Sequence, residues 1–168
     1  MKKLLLLLLL IFLPAIARSQ ANVGGATLGE TYEETYNCLV DRHGIPQYQR
    51  NNFIKYSGIV IGGIFYENAY FFYEYFEGAQ RLTNVYLDSF SFSNEKYANR
   101  DLERIAKRYQ DKYDLSSVVL DTGFNCYYTT NKQGSDEIKL IIFVNCTDEY
   151  RVRVSYEFMS PKRNNDDF

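Results

Sequence analysis

The chain has 168 residues, 46% of them hydrophobic, with 21 acidic against 19 basic side chains. That length suits one domain or two small tandem halves. An acidic balance without a basic cluster excludes a nucleic-acid binder, because phosphate neutralisation needs grouped Lys and Arg. Sixteen Tyr and twelve Phe with no Trp favour a well-filled sheet core.

Met1-Lys2-Lys3, the apolar run Leu4 to Leu13 and the small residues around Ala17 and Ser19 read as a secretory signal peptide over 1–19. The run is too short to span a bilayer. Cleavage is expected after Ser19, with Ala17 as the alternative, leaving a secreted or periplasmic chain with no transmembrane segment. Losing Lys2, Lys3 and Arg18 makes the mature chain more acidic still. Three cysteines, Cys38, Cys126 and Cys146, are an odd number for an oxidising compartment, and one disulfide plus one free thiol is the simplest arithmetic.

Ala21 to Leu28 is Gly-rich and predicts a flexible lead. Thr31 with Glu34 forms a capping box. Tyr32, Tyr36, Leu39 and His43 recur at helical spacing, and Gly44 then Pro46 end the helix. Phe53 to Ile61 predicts a strand interrupted at Gly58. Ile64 to Phe76 is too aromatic for a helix and predicts a long central strand, apolar on both alternating rows. A turn at Gly78-Ala79-Gln80 leads into Leu82 to Phe90. A three-residue turn would set Tyr73 opposite Val85 and Phe71 opposite Leu87, with Tyr70, Phe72 and Glu74 outward and facing Asp88, Tyr86 and Asn84. A two- or four-residue turn would bury Glu74 beside Thr83, a costly place for a carboxylate.

Asn94 caps a second helix running to Tyr113, with Leu102, Ile105, Ala106 and Tyr109 as its apolar stripe. The basic run Arg104 to Lys112 alternates with Glu103 and Asp111 and reads as a solvated helix face. Val118 to Thr129, Ile138 to Cys146 and Tyr150 to Phe158 predict three strands. A turn at Thr147-Asp148-Glu149 aligns Val152, Val154 and Tyr156 with Leu140, Ile142 and Val144. The expected fold is α+β: two αβββ units in tandem, about 27–92 and 93–160, in one domain over 20–160, with an antiparallel sheet, helices on one face, and a loose tail at 161–168.

Gly29-x-Thr31 leading into a helix, closed by Gly44-Ile45-Pro46 before a three-stranded meander, resembles the SmpA/OmlA family of outer-membrane assembly lipoproteins. The doubled arrangement resembles beta-lactamase-inhibitor-like proteins. The chain is also similar to uncharacterised secreted proteins of gut-type Gram-negative bacteria, through Tyr56-x-Gly58 and Asn68-Ala69 ahead of the aromatic strand. The resemblance implies protein binding at the cell envelope and brings no catalytic residues across.

Candidate chemistry is thin. His43 is the single histidine, and a lone histidine in a last helical turn usually completes the apolar stripe or complements the helix dipole. It has no second ligand at metal spacing, so no metal or cofactor is expected. Glu67, Glu74, Glu77 and Asp88 lie near aromatic residues, as a glycosidase would need, but nothing in the sequence sets a separation between any two. Gly62-Gly63 precedes no helix or lysine and is not a phosphate loop. Asn145-Cys146-Thr147 matches a glycosylation sequon, though a cysteine at a strand end makes it a poor acceptor.

The expectation is therefore a non-catalytic module that binds a protein or glycan partner at the envelope. Its binding residues would be Tyr70, Phe72, Tyr86 and Glu74; a structural role in envelope assembly is the alternative, and a small envelope hydrolase a more distant one. The competing expectation for the aromatic row is that the other half of the chain covers it, since strands apolar on both faces are usually buried on both. For the cysteines, a turn at Ser135-Asp136-Glu137 would oppose Cys126 to Cys146 and allow a bridge; a turn centred on Gln133-Gly134 would not.

Overall fold

A computed structural model describes residues 21–76, 78–133, 136–147 and 149–159. The expected signal peptide and C-terminal tail lie outside the described residues. Ten strands and two helices are described: β1 Asn22–Val23, β2 Ala26–Thr27, α1 Tyr32–His43, β3 Tyr48–Arg50, β4 Phe53–Ile61, β5 Ile64–Phe76, β6 Ala79–Phe92, α2 Glu95–Gln110, β7 Ser116–Val119, β8 Asn125–Gln133, β9 Asp136–Asn145 and β10 Tyr150–Met159. β1 and β2 form a small hairpin. The other eight strands make one antiparallel sheet in the order β3-β4-β5-β6-β10-β9-β8-β7. The fold is α+β, dominated by this sheet.

Both helices begin as the local chemistry dictates. Thr31 Oγ1 accepts from the Glu34 amide while the Glu34 carboxylate accepts from the Thr31 amide, and Asn94 accepts from the Lys96 amide. Leu39 on α1 and Ala98, Leu102, Ile105, Ala106 and Tyr109 on α2 are buried. They meet the same face of the sheet. Thr35 on α1 hydrogen-bonds Tyr73 at 2.6 Å, and Tyr109 on α2 hydrogen-bonds both Tyr66 and Tyr156 at 3.1 Å. One row of the core runs straight across the sheet through Ile54, Phe71, Val85, Tyr156 and Leu140. Full burial of such side chains, at roughly 1.5–3 kcal/mol each, is the main stabilising term.

Four expectations are corrected here. The lead at 21–28 is structured: β1 and β2 fold back on each other and bury Val23, Ala26 and Leu28. Each helix is followed by four strands rather than three. Asn51-Asn52 turns β3 onto β4, with Arg50 paired to Phe53, and Asp121 to Gly123 split the expected strand at 118–129 into β7 and β8. Both are short turn signals of the kind that make hairpins.

The third correction is the β5–β6 register. Phe76 pairs with Ala79, so the tighter turn is used, and Glu74 lies opposite Arg81 and exposed. A bulge resolves the conflict that made this turn look costly. Between the Tyr73–Leu82 and Phe72–Asn84 pairs β6 carries one extra residue, Thr83, whose hydroxyl bonds the Phe72 carbonyl. The inward set Phe71, Tyr73, Val85 and Leu87 is the expected one, but Tyr70 faces Tyr86 and Phe72 faces Asn84.

Fourth, Gln133 pairs with Asp136 and Tyr127 with Ile142. Tyr127 thus faces the helices, while Tyr128 is 39% exposed. The expected β9–β10 alignment, by contrast, is the one found: Val152 pairs with Val144, Val154 with Ile142 and Tyr156 with Leu140.

Candidate functional site

The outer face of the sheet, opposite the helices, carries the expected aromatic row. Tyr70, Phe72 and Tyr86 are half-buried and directed away from the helices, and the structure brings them together. Tyr70 and Tyr86 are ladder partners, and the Phe72 and Tyr86 rings lie 5.2 Å apart. Glu74 follows on the same outward row of β5, at the exposed end of the hairpin opposite Arg81.

Phe53, paired to Phe72, extends the cluster; its ring is 5.0 Å from Phe72 and 6.0 Å from Tyr70. Tyr48 on β3 adds a further ring 5.9 Å from Phe53. Neither residue was assigned to the site in advance. Reading Asn51-Asn52 as a two-residue hairpin turn would have found both, since it sets β3 beside β4 and Tyr48 opposite Lys55.

No helix covers this row among the described residues, which corrects the expectation of burial on both faces. The reason lies in β4 and β5. In β4 the buried positions are Ile54 and Tyr56, then Ile59 and Ile61, and in β5 they are Ile64 and Tyr66, then Ala69, Phe71 and Tyr73. Both strands switch their inward parity at one level, where Gly58 takes φ +68°. A strand that changes parity midway shows apolar residues in both alternating rows while burying one face. The outward rings are instead shielded by one another and by cations: Lys55 Nζ lies 5.5 Å from the Tyr70 ring centre and the Arg153 guanidinium 5.1 Å from that of Tyr86.

A charged band borders the cluster. Arg153 grips Asp88 with two hydrogen bonds of 2.7 and 2.8 Å, and Arg151 bonds Glu67 at 2.6 Å. The Asp88 side chain is only 4% exposed, so its charge is compensated by this planar fork. The hydrogen bonds to Asp88 raise the Arg153 pKa, and burial raises that of Tyr70. Beyond the band Phe65 and Phe90, both exposed, stack at 5.1 Å. Both carboxylates of the band, Asp88 and Glu67, are thus paired with arginine.

The cysteines stand apart. One step beyond the Tyr127–Ile142 pair, Cys126 lies level with Phe143, three residues short of Cys146. At about 3.3 Å per residue that offset is about 10 Å, beyond the roughly 7 Å a bridge spans. All three thiols are free, Cys126 buried and Cys38 and Cys146 exposed, so the register removes the direct opposition a Cys126–Cys146 bridge needed.

His43 Nε2 lies 2.7 Å from the Gly24 carbonyl and its ring meets Tyr56 edge-on, which ties the β1–β2 hairpin to the end of α1. Among the described residues no group of His, Cys, Asp and Glu is arranged to hold a metal, and no helix is long and apolar enough to cross a membrane. No protein-family model, curated protein or solved structure matches this chain.

Proposed function

We propose that the chain is an exported, non-catalytic interaction module that binds a partner at the cell envelope through the outer face of its sheet. One observation carries this reading: the contiguous cluster of Phe53, Tyr70, Phe72 and Tyr86 with no described element over it. Aromatic residues beside arginine, bordered by a polar band, have the composition of protein–protein hot spots. A protein partner is favoured over a glycan because Lys55 and Arg153 already lie across the Tyr70 and Tyr86 rings, where a sugar would stack. The helix-then-meander order, met twice, further supports two half-units in tandem that meet where β6 pairs with β10.

The test compares wild type with Phe72→Ala and Tyr86→Ala as bait in native envelope extract and against purified envelope polysaccharide. Capture of a discrete protein by wild type alone is the expected result, with each variant losing about 1–2 kcal/mol of stability. Equal capture by all three baits removes the sheet face from the function. Retention on polysaccharide alone replaces the protein with a glycan. A stability loss above roughly 3 kcal/mol would mark the residue as core.

A further inference from the structure

On the opposite, helix-bearing side, a cavity of about 240 Å³ opens between the C-terminal ends of α1 and α2, closed by the β1–β2 hairpin and the β4–β5 turn. Its rim carries Arg42 from α1 and Arg108 and Lys112 from α2 and the turn after it; no carboxylate lines it. Asp41 and Asp111 adjoin these cations in sequence but do not face the cavity. Arg42, Arg108 and Lys112 have no ion-pair partner among the described residues. Cations in last helical turns are partly explained by the helix dipole, whose C-terminal end carries roughly half a negative charge. Two such ends offset about one of the three positive charges, so a surplus of about two remains.

The interior is not apolar throughout. Tyr109 and Tyr113 form one wall, their rings 6.0 Å apart and near-parallel, with Lys112 Nζ 5.2 Å from the Tyr113 ring centre. At the floor, Tyr109 and Tyr156 hydrogen-bond each other and are already satisfied. Arg42 and Arg108, from separate helices, line the same cavity as the Tyr109–Tyr113 wall. We infer that this cleft binds a small organic anion, its carboxylate or phosphate held by Arg42 and Arg108 and its body laid against Tyr113. Guanidiniums match such planar or tetrahedral oxyanions with paired hydrogen bonds, and the volume, about eight waters' worth, suits a single small molecule.

Calorimetric titration at low ionic strength with benzoate, glucuronate and inorganic phosphate tests this, with glucose as the neutral control. Saturable binding of at least one anion, and none of glucose, is expected. The Arg42→Gln and Arg108→Gln variants should each weaken it about tenfold. Lys112→Gln, the third cation of the lining, should also weaken binding and provides an independent variant should either arginine change fail to fold. Unchanged affinity there, together with a folded arginine variant of unchanged affinity, counts against the cleft. Preference among the probes assigns the oxyanion: phosphate alone marks a phosphate site, the two carboxylates a carboxylate site. No saturation by any anion, or affinity unchanged in Arg42→Gln/Arg108→Gln, overturns the inference. Because the cleft and the aromatic cluster lie on opposite faces, Phe72→Ala leaves this titration unaltered and the two readings fail separately.

Discussion

Gly24 shows how one residue frames a cavity. It sits at φ +67°, and a β-carbon there would lie 3.0 Å from Ile61 Cδ1 and 3.2 Å from His43 Nε2, while its carbonyl bonds that same histidine. Gly63, at φ +75°, has open space around it. Gly63→Ala should therefore carry only the backbone cost, about 1 kcal/mol, and Gly24→Ala that cost plus the displacement of two packed side chains, about 2–3 kcal/mol in total. Denaturant midpoints measure both. Equal losses would show that the hairpin yields without strain and that His43 does not anchor it.

At the scale of elements, register decides chemistry. The β8–β9 ladder pairs Gln133 with Asp136 and Tyr127 with Ile142, and this register alone keeps Cys126 three residues out of step with Cys146. Burial also raises the Cys126 thiol pKa, with Lys139 opposing, and burial with Glu95 raises that of Cys146. Thiolate is the reactive form, so both should react more slowly than an unshifted thiol. Protein folded under oxidising conditions and mapped without reduction should yield three free thiols. Alkylation of the folded protein should label Cys38 first and Cys126 last. A Cys126–Cys146 peptide would mean that β9 has slipped against β8.

At the scale of the whole molecule, the buried tyrosines Tyr56, Tyr66, Tyr73, Tyr109 and Tyr156 lie on the helix side of the sheet. Burial pushes Tyr56 up to about 12, helped by Tyr36 and Tyr32, and raises Tyr66, Tyr73, Tyr109 and Tyr156 above the usual tyrosine value as well. These phenols keep protons in the fold at a pH where the unfolded chain, with ordinary tyrosines near 10, has lost them. More protons bound in the folded state means that stability falls as pH rises. The contribution is complete below about pH 10 and is lost progressively above it, toward the folded value of about 12 at Tyr56. Alkaline titration followed by phenolate absorbance and circular dichroism should show two classes. Exposed tyrosines ionise with the ellipticity intact; the buried ones ionise only as it collapses. Smooth ionisation of all sixteen tyrosines with the fold retained would contradict this packing.

Local chemistry alone determined the two helix starts, the strand core of β4, β5, β6, β9 and β10, and the outward setting of Tyr70, Phe72 and Tyr86. Each depends on contacts within a few residues: a side-chain cap or an alternating pattern. The tertiary structure decided what depends on residues distant in sequence. Whether Glu74 was buried hung on a bulge at Thr83, which shifts the β5–β6 register between Phe72 and Tyr73 and leaves no signature in either strand alone. The parity switch at Gly58 needs β5 to turn at the same level, so two-row apolarity read as burial on both faces. The cationic cleft was invisible for the same reason. Arg42 and Arg108 lie 66 positions apart on helices whose separate amphipathic patterns describe each as a wet face, and only their packing on one sheet brings the two C-terminal ends together.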